Sequence, residues 1–473
     1  MSVLARIRGS LRRRRGSRLA ILPFADGSWL FGAGAIQGIA TLLGSVDGLT
    51  IVGPVSSLAF SHRTTDLGSA ANELGADFLV RGQLEDEDEG EGEQKRVVAQ
   101  LVRTSDGAEL WSGAWRFETE TLFDIQSQIA GEIARALGSP TPAPTPDLTY
   151  RAPTSDSVAW QNYVDGRIAL LAGDPTRALG RFEAAIERDS IFADAWAGMA
   201  ECWRDAREAH VSLRTGTDLD ATVRAVREGA ERALDLDDTV ARAHAALGYA
   251  DLLDWAFDSA EAHLRLSLEM APCMATAHQW LARTLLYRGA YEDACASADR
   301  AMALEPLDPT LVNESGWPHA LAGRIDEAVA RSRRAIQLDP EHALSYLHLG
   351  RYAEQSDRRG ESLTYYRAAV EVSGREPFLT AFLGTALARA GERSEAEEIA
   401  HDLIRKARRG TPVATSLGAL LTALARHDEG LAWIEAGVEA REPIALLAGT
   451  SWLPLSDLRS SSRLADLLEN RPR

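Results

Sequence analysis

The sequence predicts a molecule in two parts: an α/β domain with a mixed sheet and packed helices, then an all-α array of helix pairs. Three observations indicate this. Residues 138–153 carry five prolines, which excludes a helix and is typical of an extended spacer, so we place a linker at residues 138–157. Before this linker, short apolar runs alternate with helical patterns. After it, one pattern returns every 34 residues.

The first domain is expected at residues 19–137. Its predicted strands are Leu19–Phe24, Leu49–Gly53, Ala76–Leu84, Lys95–Thr104 and Glu109–Phe117. Its predicted helices are Leu30–Val46, Asp66–Leu74 and Thr119–Leu137. The last two strands should form a hairpin that turns at residues 105–107, a Ser-Asp-Gly sequence. The order β-α-β-α-β-β-β-α indicates a mixed sheet with helices packed on it.

Residues 32–38, GAGAIQG, raise the question of a nucleotide site, because a strand, a glycine-rich turn and a helix begin a dinucleotide fold. Gly32 comes eight residues after Phe24, and the spacing G-x-G-x-x-x-G is one residue too long. No acidic residue follows the second strand to hold a ribose hydroxyl. We therefore expect no nucleotide. Gly34 and Gly38 instead predict a helix that lies close to the sheet, which compensates for the cost of helical glycine.

An acidic stretch, EDEDEGEGE, fills residues 85–93 between the third and fourth predicted strands. Like charges this close repel one another and stay solvated, so we expect a long, mobile hairpin loop. The alternative is a calcium loop, but such loops need oxygen ligands at fixed spacing, which this stretch lacks.

The net charge of −18 makes most of the surface repel nucleic-acid phosphate, so we expect no general nucleic-acid binding. Seven arginines nevertheless crowd residues 6–18. We interpret residues 1–18 as a disordered basic tail. Contact of this tail with acidic lipid, nucleic acid or an acidic partner stays open.

Membrane and secretory segments are not expected. No stretch approaches the roughly 20 apolar residues of a membrane helix. The apolar run after Arg12–Arg15 is shorter than a secretory h-region. Cys202, Cys273 and Cys295 lack metal-type spacing and fit a reducing compartment. These features predict a cytoplasmic protein without a metal ion.

The second part repeats every 34 residues. Gly248, Gly316, Gly350, Gly384 and Gly418 occupy one register, and six units run from Ala241 to Ile444. Two further units precede them, Ala159–Phe192 and a longer one at Ala193–Val240. Small residues recur where the two helices of a unit should cross, because close approach leaves no room for a side chain. About eight such units, stacked over residues 159–444, predict a superhelix with a concave groove.

This register resembles the tetratricopeptide repeat family over Ala159–Ile444. Arg408 and Glu442 depart from it, standing where a proline is usual. Residues 445–473 include WLPLSDLRSSSRLADLL and resemble the segment that often ends such arrays, so we expect a C-terminal capping segment.

The first part resembles the TolB-like N-terminal domain that precedes tetratricopeptide arrays in many bacterial proteins. The resemblance rests on LAILPF, on the stretch from LTIVG to VRGQL, on VVAQLVRTSDGAELWSGAWRF and on LFDIQSQIAGEIARAL. It implies a noncatalytic module that usually follows a signalling or DNA-binding head. This sequence has only eighteen residues before its first predicted strand, and it departs from the family at Trp29–Gly38.

Motifs for catalysis are missing from the sequence, which has no G-x-S-x-G elbow, no H-E-x-x-H and no phosphate-binding loop. We therefore predict that the protein is not an enzyme, and we expect no cofactor and no small-molecule substrate. His244 and His278 share one repeat position and are interpreted as packed side chains rather than ligands. Trp111 and Trp115 alternate on one strand and are interpreted as core.

The groove is the remaining candidate site. In tetratricopeptide arrays, positions two, five and nine of the first helix of each unit line the concave face. The partner-binding residues that the resemblance predicts are Tyr249, Gln279, Arg283, Asn313, Trp317 and Arg351. They mix amides, guanidinium groups and aromatic rings, as peptide-binding surfaces do. The alternative is a merely solvated face.

Two functions remain open. The first is a noncatalytic scaffold that binds a protein or peptide partner in the groove. The second is a signalling or transcription-regulatory protein whose output domain, DNA-binding, cyclase or kinase, is lost or supplied by a partner.

Overall fold

The structure is a computed structural model of the 473-residue chain. It describes residues 17–24, 36, 38–40, 42–44, 46, 48–60, 67–87, 94–117, 122–138, 154–208, 219–448, 450, 452, 453 and 455. The described residues form two compact units, one within Met1–Ala250, Ala260–His278 and Arg300–Leu307, the other within Asp251–Ser259, Gln279–Asp299 and Asp308–Arg473. Most of the basic tail, Gly34 and the proline-rich stretch 139–153 lie outside the described residues.

The first domain is built on a five-stranded mixed sheet. Its strands are β1 (Ser17–Ile21), β2 (Leu49–Ile51), β3 (Phe78–Glu87), β4 (Gln94–Arg103) and β5 (Glu109–Phe117). Their order across the sheet is β2-β1-β3-β4-β5. β1 runs parallel to both β2 and β3, while β3–β4 and β4–β5 are antiparallel. This confirms the predicted α/β class with a mixed sheet.

Three helices with defined bounds accompany the sheet: α1 (Pro54–Leu58), α2 (Leu67–Leu74) and α3 (Leu122–Ala136). Leu19 and Ile21 of β1 join the core on the face that also receives α3 and the helical residues between 36 and 43. Ala20 and Leu22 join the core on the opposite face, with α2. Because the chain is buried on both faces of the sheet from Leu19 to Leu22, this stretch is continuously apolar rather than alternating.

Trp111 and Trp115 lie on one face of β5, with ring centroids 5.7 Å apart, and are half-buried against the larger core. They therefore cover the edge of the core rather than fill its centre. The short helix α1 was not expected from the sequence. Pro54 stands at its first position, where a missing N–H leaves no bond unmade.

The acidic stretch begins as strand, not as loop. β3 continues to Glu87 and pairs with β4 in a register that sets Glu85 opposite Arg96 and Asp86 opposite Lys95. Opposite charges on facing strands favour this pairing, which the expectation of a loop from residue 85 overlooked. Residues 88–93 lie outside the described residues.

Gly38 lies close to a helix rather than to the sheet. A Cβ atom built on Gly38 would overlap the carboxamide of Gln126, a buried side chain of α3. The expected close approach is therefore present at Gly38, but its neighbour differs from the one expected. The reason is that this helical segment and α3 share one face of the sheet.

The second part is a tetratricopeptide-type array of antiparallel helix pairs. Its helices are α4 (Ser157–Leu171), α5 (Pro175–Arg188), α6 (Ala193–Glu208), α7 (Leu219–Leu236), α8 (Ala241–Leu253), α9 (Phe257–Met270), α10 (Ala275–Tyr287), α11 (Tyr291–Leu304), α12 (Pro309–Leu321), α13 (Ile325–Leu338), α14 (Ala343–Gln355), α15 (Arg359–Val372), α16 (Pro377–Ala390), α17 (Arg393–Ala407), α18 (Ala414–Ala423) and α19 (His427–Glu439). A 3₁₀ helix at Pro443–Leu447 follows. We call the even-numbered helices from α4 to α18 the first helices of the pairs.

Small residues mark where paired helices cross. A Cβ atom on Gly316 of α12 would lie 3.1 Å from the carbonyl oxygen of Ala328 in α13. A Cβ atom on Gly418 of α18 would lie 2.6 Å from the carbonyl oxygen of Gly430 in α19. At these two positions the helix backbones meet directly, whereas at Gly350 and Gly384 side chains of neighbouring helices fill the space that a Cβ atom would take.

His244 and His278 each contact a backbone carbonyl in the turn between two helix pairs. Nε2 of His278 lies 3.1 Å from the carbonyl oxygen of Pro272, six residues earlier, and Nε2 of His244 lies 3.3 Å from that of Asp238. Tyr346 makes the same contact with Pro340 at 3.1 Å through its hydroxyl. These side chains therefore satisfy a carbonyl at the end of the preceding helix. Burial lowers the pKa of His278 to about 4.

One carboxylate joins the α/β domain to the array within the first compact unit. The backbone N–H groups of Val55 and Ser56, at the start of α1, donate to Glu305 over 3.1 and 2.7 Å. The Ser56 hydroxyl accepts from the N–H of Leu307 at 3.0 Å. Arg18 of β1 donates to the carbonyl of Ala303 at 2.8 Å. The end of α11 is therefore fixed against the domain through buried hydrogen bonds.

A second carboxylate, at the end of the array, also accepts backbone N–H groups at the start of a helix. Glu442, one of the two departures from the repeat pattern, is buried and accepts the N–H groups of Ala414 and Thr415, each at 2.8 Å. A proline at this position could not supply that acceptor. The carboxylate satisfies donors that the first turn of α18 leaves without helical partners.

Candidate functional site

The six predicted partner-binding residues lie on four first helices. Tyr249 is on α8, Gln279 and Arg283 on α10, Asn313 and Trp317 on α12, and Arg351 on α14. Tyr249 and Asn313 are fully buried, and Arg351 is buried too, whereas the other three are half-buried. Tyr249 belongs to the first compact unit and the other five to the second.

Gln279 and Arg283 meet on Glu314, a residue that the repeat positions did not single out. The Gln279 amide donates to Glu314 Oε2 at 2.7 Å, and Nη2 of Arg283 donates to Oε1 at 2.5 Å. All three side chains are partly or largely shielded from solvent. The guanidinium group of Arg283 therefore already pairs with a carboxylate of this chain. The signal in the sequence was a lone acid next to Asn313 on the neighbouring first helix.

Arg351 belongs to a second polar cluster, which is centred on Glu354. The guanidinium of Arg351 pairs with the Glu354 carboxylate one helical turn away. The hydroxyl of Tyr366 and Nη1 of Arg389 donate to the same carboxylate, each at 2.9 Å. Burial alone would raise the pKa of Glu354, but the two guanidinium groups hold it below its ordinary value. Glu354 is therefore ionised at neutral pH.

Asn313 and Trp317 stand one turn apart on α12. Oδ1 of Asn313 accepts from the Ser332 hydroxyl at 2.8 Å. Neither Nδ2 of Asn313 nor Nε1 of Trp317 finds a hydrogen-bond acceptor within the described parts of the chain. Buried donors of this kind favour a neighbour that brings carbonyl or carboxylate oxygens.

The face of Trp317 is covered by the chain's own C-terminal segment. The ring of Trp452 lies 5.2 Å from Trp317, 5.0 Å from His348 and 6.0 Å from Tyr352, between ring centroids. Cζ of Arg351 lies 5.9 Å from the centre of the Trp452 ring, a cation–π distance. We call the surface formed by Trp317, His348, Arg351 and Tyr352 the aromatic face.

The occupant of the aromatic face was not foreseen. Trp452 is 2% exposed, and Leu453 and Leu455 are buried with it. The sequence predicted a C-terminal capping segment at residues 445–473. Within this segment, the structure places Trp452 against Trp317 of α12 and Tyr352 of α14. The available signal was the apolar run WLPL at the head of an otherwise polar tail.

His348 is neutral in this surrounding. Its ring is enclosed by Trp317, Tyr352 and Trp452. Burial lowers the pKa of His348 to about 3, and His342 adds to this effect. An uncharged imidazole can pack edge-on against an indole without a desolvated charge.

A charged cluster occupies the first helices at the start of the array. Glu201 of α6 pairs with Arg167 of α4, and its carboxylate lies 3.8 Å from the guanidinium groups of Arg204 and Arg242. Nη1 of Arg242 also donates to the Tyr163 hydroxyl at 2.6 Å. Burial would raise the pKa of Glu201, but the three arginines lower it. We call this group the Glu201 cluster.

In the described residues, no group of three or more His, Cys, Asp and Glu side chains could hold a metal ion. No helix among them has the length and apolar character needed to cross a bilayer.

Comparisons with known proteins give limited similarity. No protein-family profile matches the chain. Over 124 residues it is 27% identical to a protein of Rhizobium meliloti (strain 1021) named "Putative adenylate cyclase 3". That stretch is 25% of this chain and 20% of the other protein, so the chain spans only a fifth of the curated relative that it matches.

Solved structures similar to this chain include tetratricopeptide proteins. Human IFIT1, solved as a dimer with m7Gppp-AAAA, is 14% identical with a TM-score of 0.45, covering 68% of this chain and 78% of its own. YrrB, described as a TPR protein with an unusual peptide-binding site, is 20% identical with a TM-score of 0.30, covering 40% and 91%. PilW, a type IV pilus biogenesis factor, is 16% identical with a TM-score of 0.38, covering 49% and 100%.

Proposed function

We propose that this chain is a noncatalytic scaffold that binds a segment of a partner protein on the first helices of its tetratricopeptide array. The observation that carries the proposal is the position of Trp452. A short stretch of polypeptide outside the helix pairs already packs on Trp317 and Arg351, two of the residues predicted for partner binding. A surface that buries one peptide segment has the shape and chemistry to bury another.

The polar clusters beside this surface support binding rather than catalysis. The carboxylates of Glu314 and Glu354 are each held by arginine, so they are fixed acceptors rather than groups poised to exchange protons. Such satisfied networks rigidify a surface and fix its shape. A preformed surface loses less entropy when a partner binds.

Selection from a random peptide library tests this function. The full chain is immobilised and the enriched peptides are measured again on Trp317→Ala. We expect affinity to fall on the order of tenfold or more, as when a buried aromatic hot spot is truncated. Val372→Ala removes an apolar side chain that is 37% exposed on α15 and serves as the matched control. Equal binding to wild type and Trp317→Ala would remove this surface from consideration.

A regulatory role in signalling is the second candidate, and the similarity to the Rhizobium meliloti protein favours it. In this role the chain would bind DNA, or a cyclase or kinase domain on another protein. Binding through the basic residues 1–18 should weaken steeply with salt. Comparing the full chain with one that lacks residues 1–18 separates the candidates. A scaffold keeps its partner after this deletion, and a salt-dependent regulator loses it.

A further inference from the structure

The segment that covers the aromatic face is locally ordered. Beyond the 3₁₀ helix Pro443–Leu447, the Thr450 hydroxyl donates to the carbonyl of Leu447 at 2.8 Å and accepts from the N–H of Trp452 at 3.1 Å. The N–H of Leu455 donates to the carbonyl of Leu453 at 2.8 Å. The N–H of Trp452 is therefore held by the Thr450 hydroxyl, which is itself bonded to the 3₁₀ helix.

The aromatic face matches an indole in particular. Rings from two neighbouring first helices surround Trp452: Trp317 on α12, and His348 and Tyr352 on α14. The Arg351 guanidinium lies over the indole, which is the aromatic ring that attracts a cation most strongly. The Nε1–H group of Trp317, which finds no acceptor among the described residues, suits a carbonyl oxygen of an adjacent peptide backbone.

The segment that leads to Trp452 is joined to the array by one partly exposed ion pair and by one buried carboxylate. Arg441, at the end of α19, pairs with Asp254 at 2.9 Å, and the two side chains are 46% and 29% exposed. An exposed ion pair of this kind contributes little to stability. Between this contact and Trp452, the buried Glu442 carboxylate accepts the N–H groups of Ala414 and Thr415, and Leu446 and Leu447 are buried apolar side chains.

We propose that Trp452, with Leu453 and Leu455, is an intramolecular ligand, and that the aromatic face binds partner proteins through a tryptophan followed by aliphatic residues, which takes the place of Trp452. This inference rests on the proposed scaffold function and names the class of partner. A tethered segment acts at an effective concentration of about millimolar, so a partner must compete with it. The apparent affinity for the partner falls by the fraction of molecules in which the face is vacant.

Fluorescence anisotropy with one peptide tests the proposal. The probe is a fluorescein-labelled peptide of residues 448–458, AGTSWLPLSDL, and the protein is the full chain. We expect Trp452→Ala to bind this peptide at least about tenfold more tightly than wild type, because the tethered competitor is lost. The double variant Trp452→Ala/Trp317→Ala should lose that gain. Trp452→Ala/Val372→Ala should keep it, since Val372 is an exposed residue of α15.

Two further measurements keep the test decisive. A labelled peptide with alanine in place of its tryptophan should bind none of the variants. If Trp452→Ala does not fold, Leu455→Ala loosens the same segment and should give a smaller gain in affinity. Added unlabelled peptide should raise the unfolding temperature of either variant more than that of wild type.

The outcomes distinguish this proposal from the general scaffold function. Equal peptide binding by wild type and both tail variants would overturn the intramolecular ligand. Binding that survives Trp317→Ala would overturn the aromatic face as its site. If library peptides depend on Trp317 but do not compete with AGTSWLPLSDL, the scaffold function stands and the tryptophan-bearing class of partner is wrong.

Discussion

Around Glu201 the first helices are joined by charge, whereas around Trp452 they are joined by aromatic rings. In the Glu201 cluster, Arg167, Arg204 and Arg242 converge on one carboxylate that is 7% exposed. At the aromatic face, Trp317 and Tyr352 receive a ring from outside the helix pairs. The same type of helix pair thus supports two different linings.

The two regions differ in whether the central side chain, Glu201 or Trp452, can be replaced by a group from a partner protein. A buried carboxylate that satisfies several guanidinium groups cannot leave without stranding charge in a poorly solvated place. In the proposed exchange at the aromatic face, a similar indole takes the place of Trp452, so the buried contacts are remade rather than lost. The Glu201 cluster is therefore suited to fixing structure, and the aromatic face to binding a partner.

Replacing Glu201 should have the largest effect on stability. Glu201→Ala leaves three arginines without their shared carboxylate, and breaking a buried ion pair from one side costs about 3–5 kcal/mol. Hydrogen exchange should show lost protection in α4, α6 and α8 while α12 and α14 keep theirs. Glu201→Gln, which preserves shape, should recover part of the loss. A cost below about 1 kcal/mol for Glu201→Ala would contradict a structural role for the cluster.

Acid should loosen the aromatic face before the Glu201 cluster. The folded-state pKa of His348, about 3, lies below the ordinary value of 6.5, so the unfolded chain binds the proton first. The stability that neutral His348 provides is complete above pH 6.5 and falls as pH decreases towards 3, by up to about 1.4 kcal/mol per pH unit. The pKa of Glu201 is lowered from 4.5, so its contribution is complete above 4.5 and is lost only as pH falls through that depressed pKa.

Hydrogen exchange in α14 and α6, followed from pH 7 to pH 4, measures this order. His348→Gln removes the titrating group and should flatten the response of α14. His278, whose pKa is lowered to about 4, remains in that variant and accounts for a residual slope in overall stability. Equal loosening of both helices at pH 5 would show that His348 does not set the acid response of the aromatic face.

Weakening Glu442 should loosen the support of the tail. Glu442→Gln removes the charged acceptor from two N–H groups at the start of α18, at a cost of about 1–3 kcal/mol. Thermal unfolding measures this change, and Glu439→Gln, an exposed neighbour on α19, is the control. The peptide of residues 448–458 should also bind Glu442→Gln more tightly than wild type. Unchanged unfolding would mean that solvent replaces the carboxylate without cost.

Removing the ion pair between Arg441 and Asp254 should have the smallest effect. Arg441→Ala should cost about 0–1 kcal/mol, because both side chains are partly exposed to solvent. The cost should shrink further at high salt, where exposed charges are screened. Thermal unfolding at low and high salt measures this. A cost above about 2 kcal/mol, insensitive to salt, would show that this contact holds the tail more firmly than the aromatic face does.

Most helices and strands could be predicted from the sequence. The strand predicted at Leu19–Phe24 appears as Ser17–Ile21, and the predicted hairpin appears as β4 and β5, because a buried strand and a tight turn leave local signals. The 34-residue register predicted the helix pairs for the same reason, since each crossing needs a small residue. The β3 extension to Glu87 was missed because its stability comes from pairing with β4 and not from its own composition.

Only part of the candidate site could be predicted from the sequence. Gln279 and Arg283 do lie together, and Trp317 and Arg351 both contact Trp452. The residues that organise them, Glu314 and Trp452, are set by contacts between distant parts of the chain. Such pairings have no fixed spacing, so a repeat pattern cannot show them.

Trp452 and Glu305 together restrict how this chain can evolve. Repeat proteins ordinarily gain and lose whole helix pairs, because each pair contacts only its neighbours. Here one extra pair before Glu305 would carry that carboxylate away from the start of α1, and one extra pair after Tyr352 would carry Trp452 away from its ring partners. The contact of Glu305 with α1 and the contact of Trp452 with the aromatic face therefore each restrict the number of helix pairs. Homologous arrays that keep both residues should conserve the pair number in each interval, while loops between helices vary freely in length.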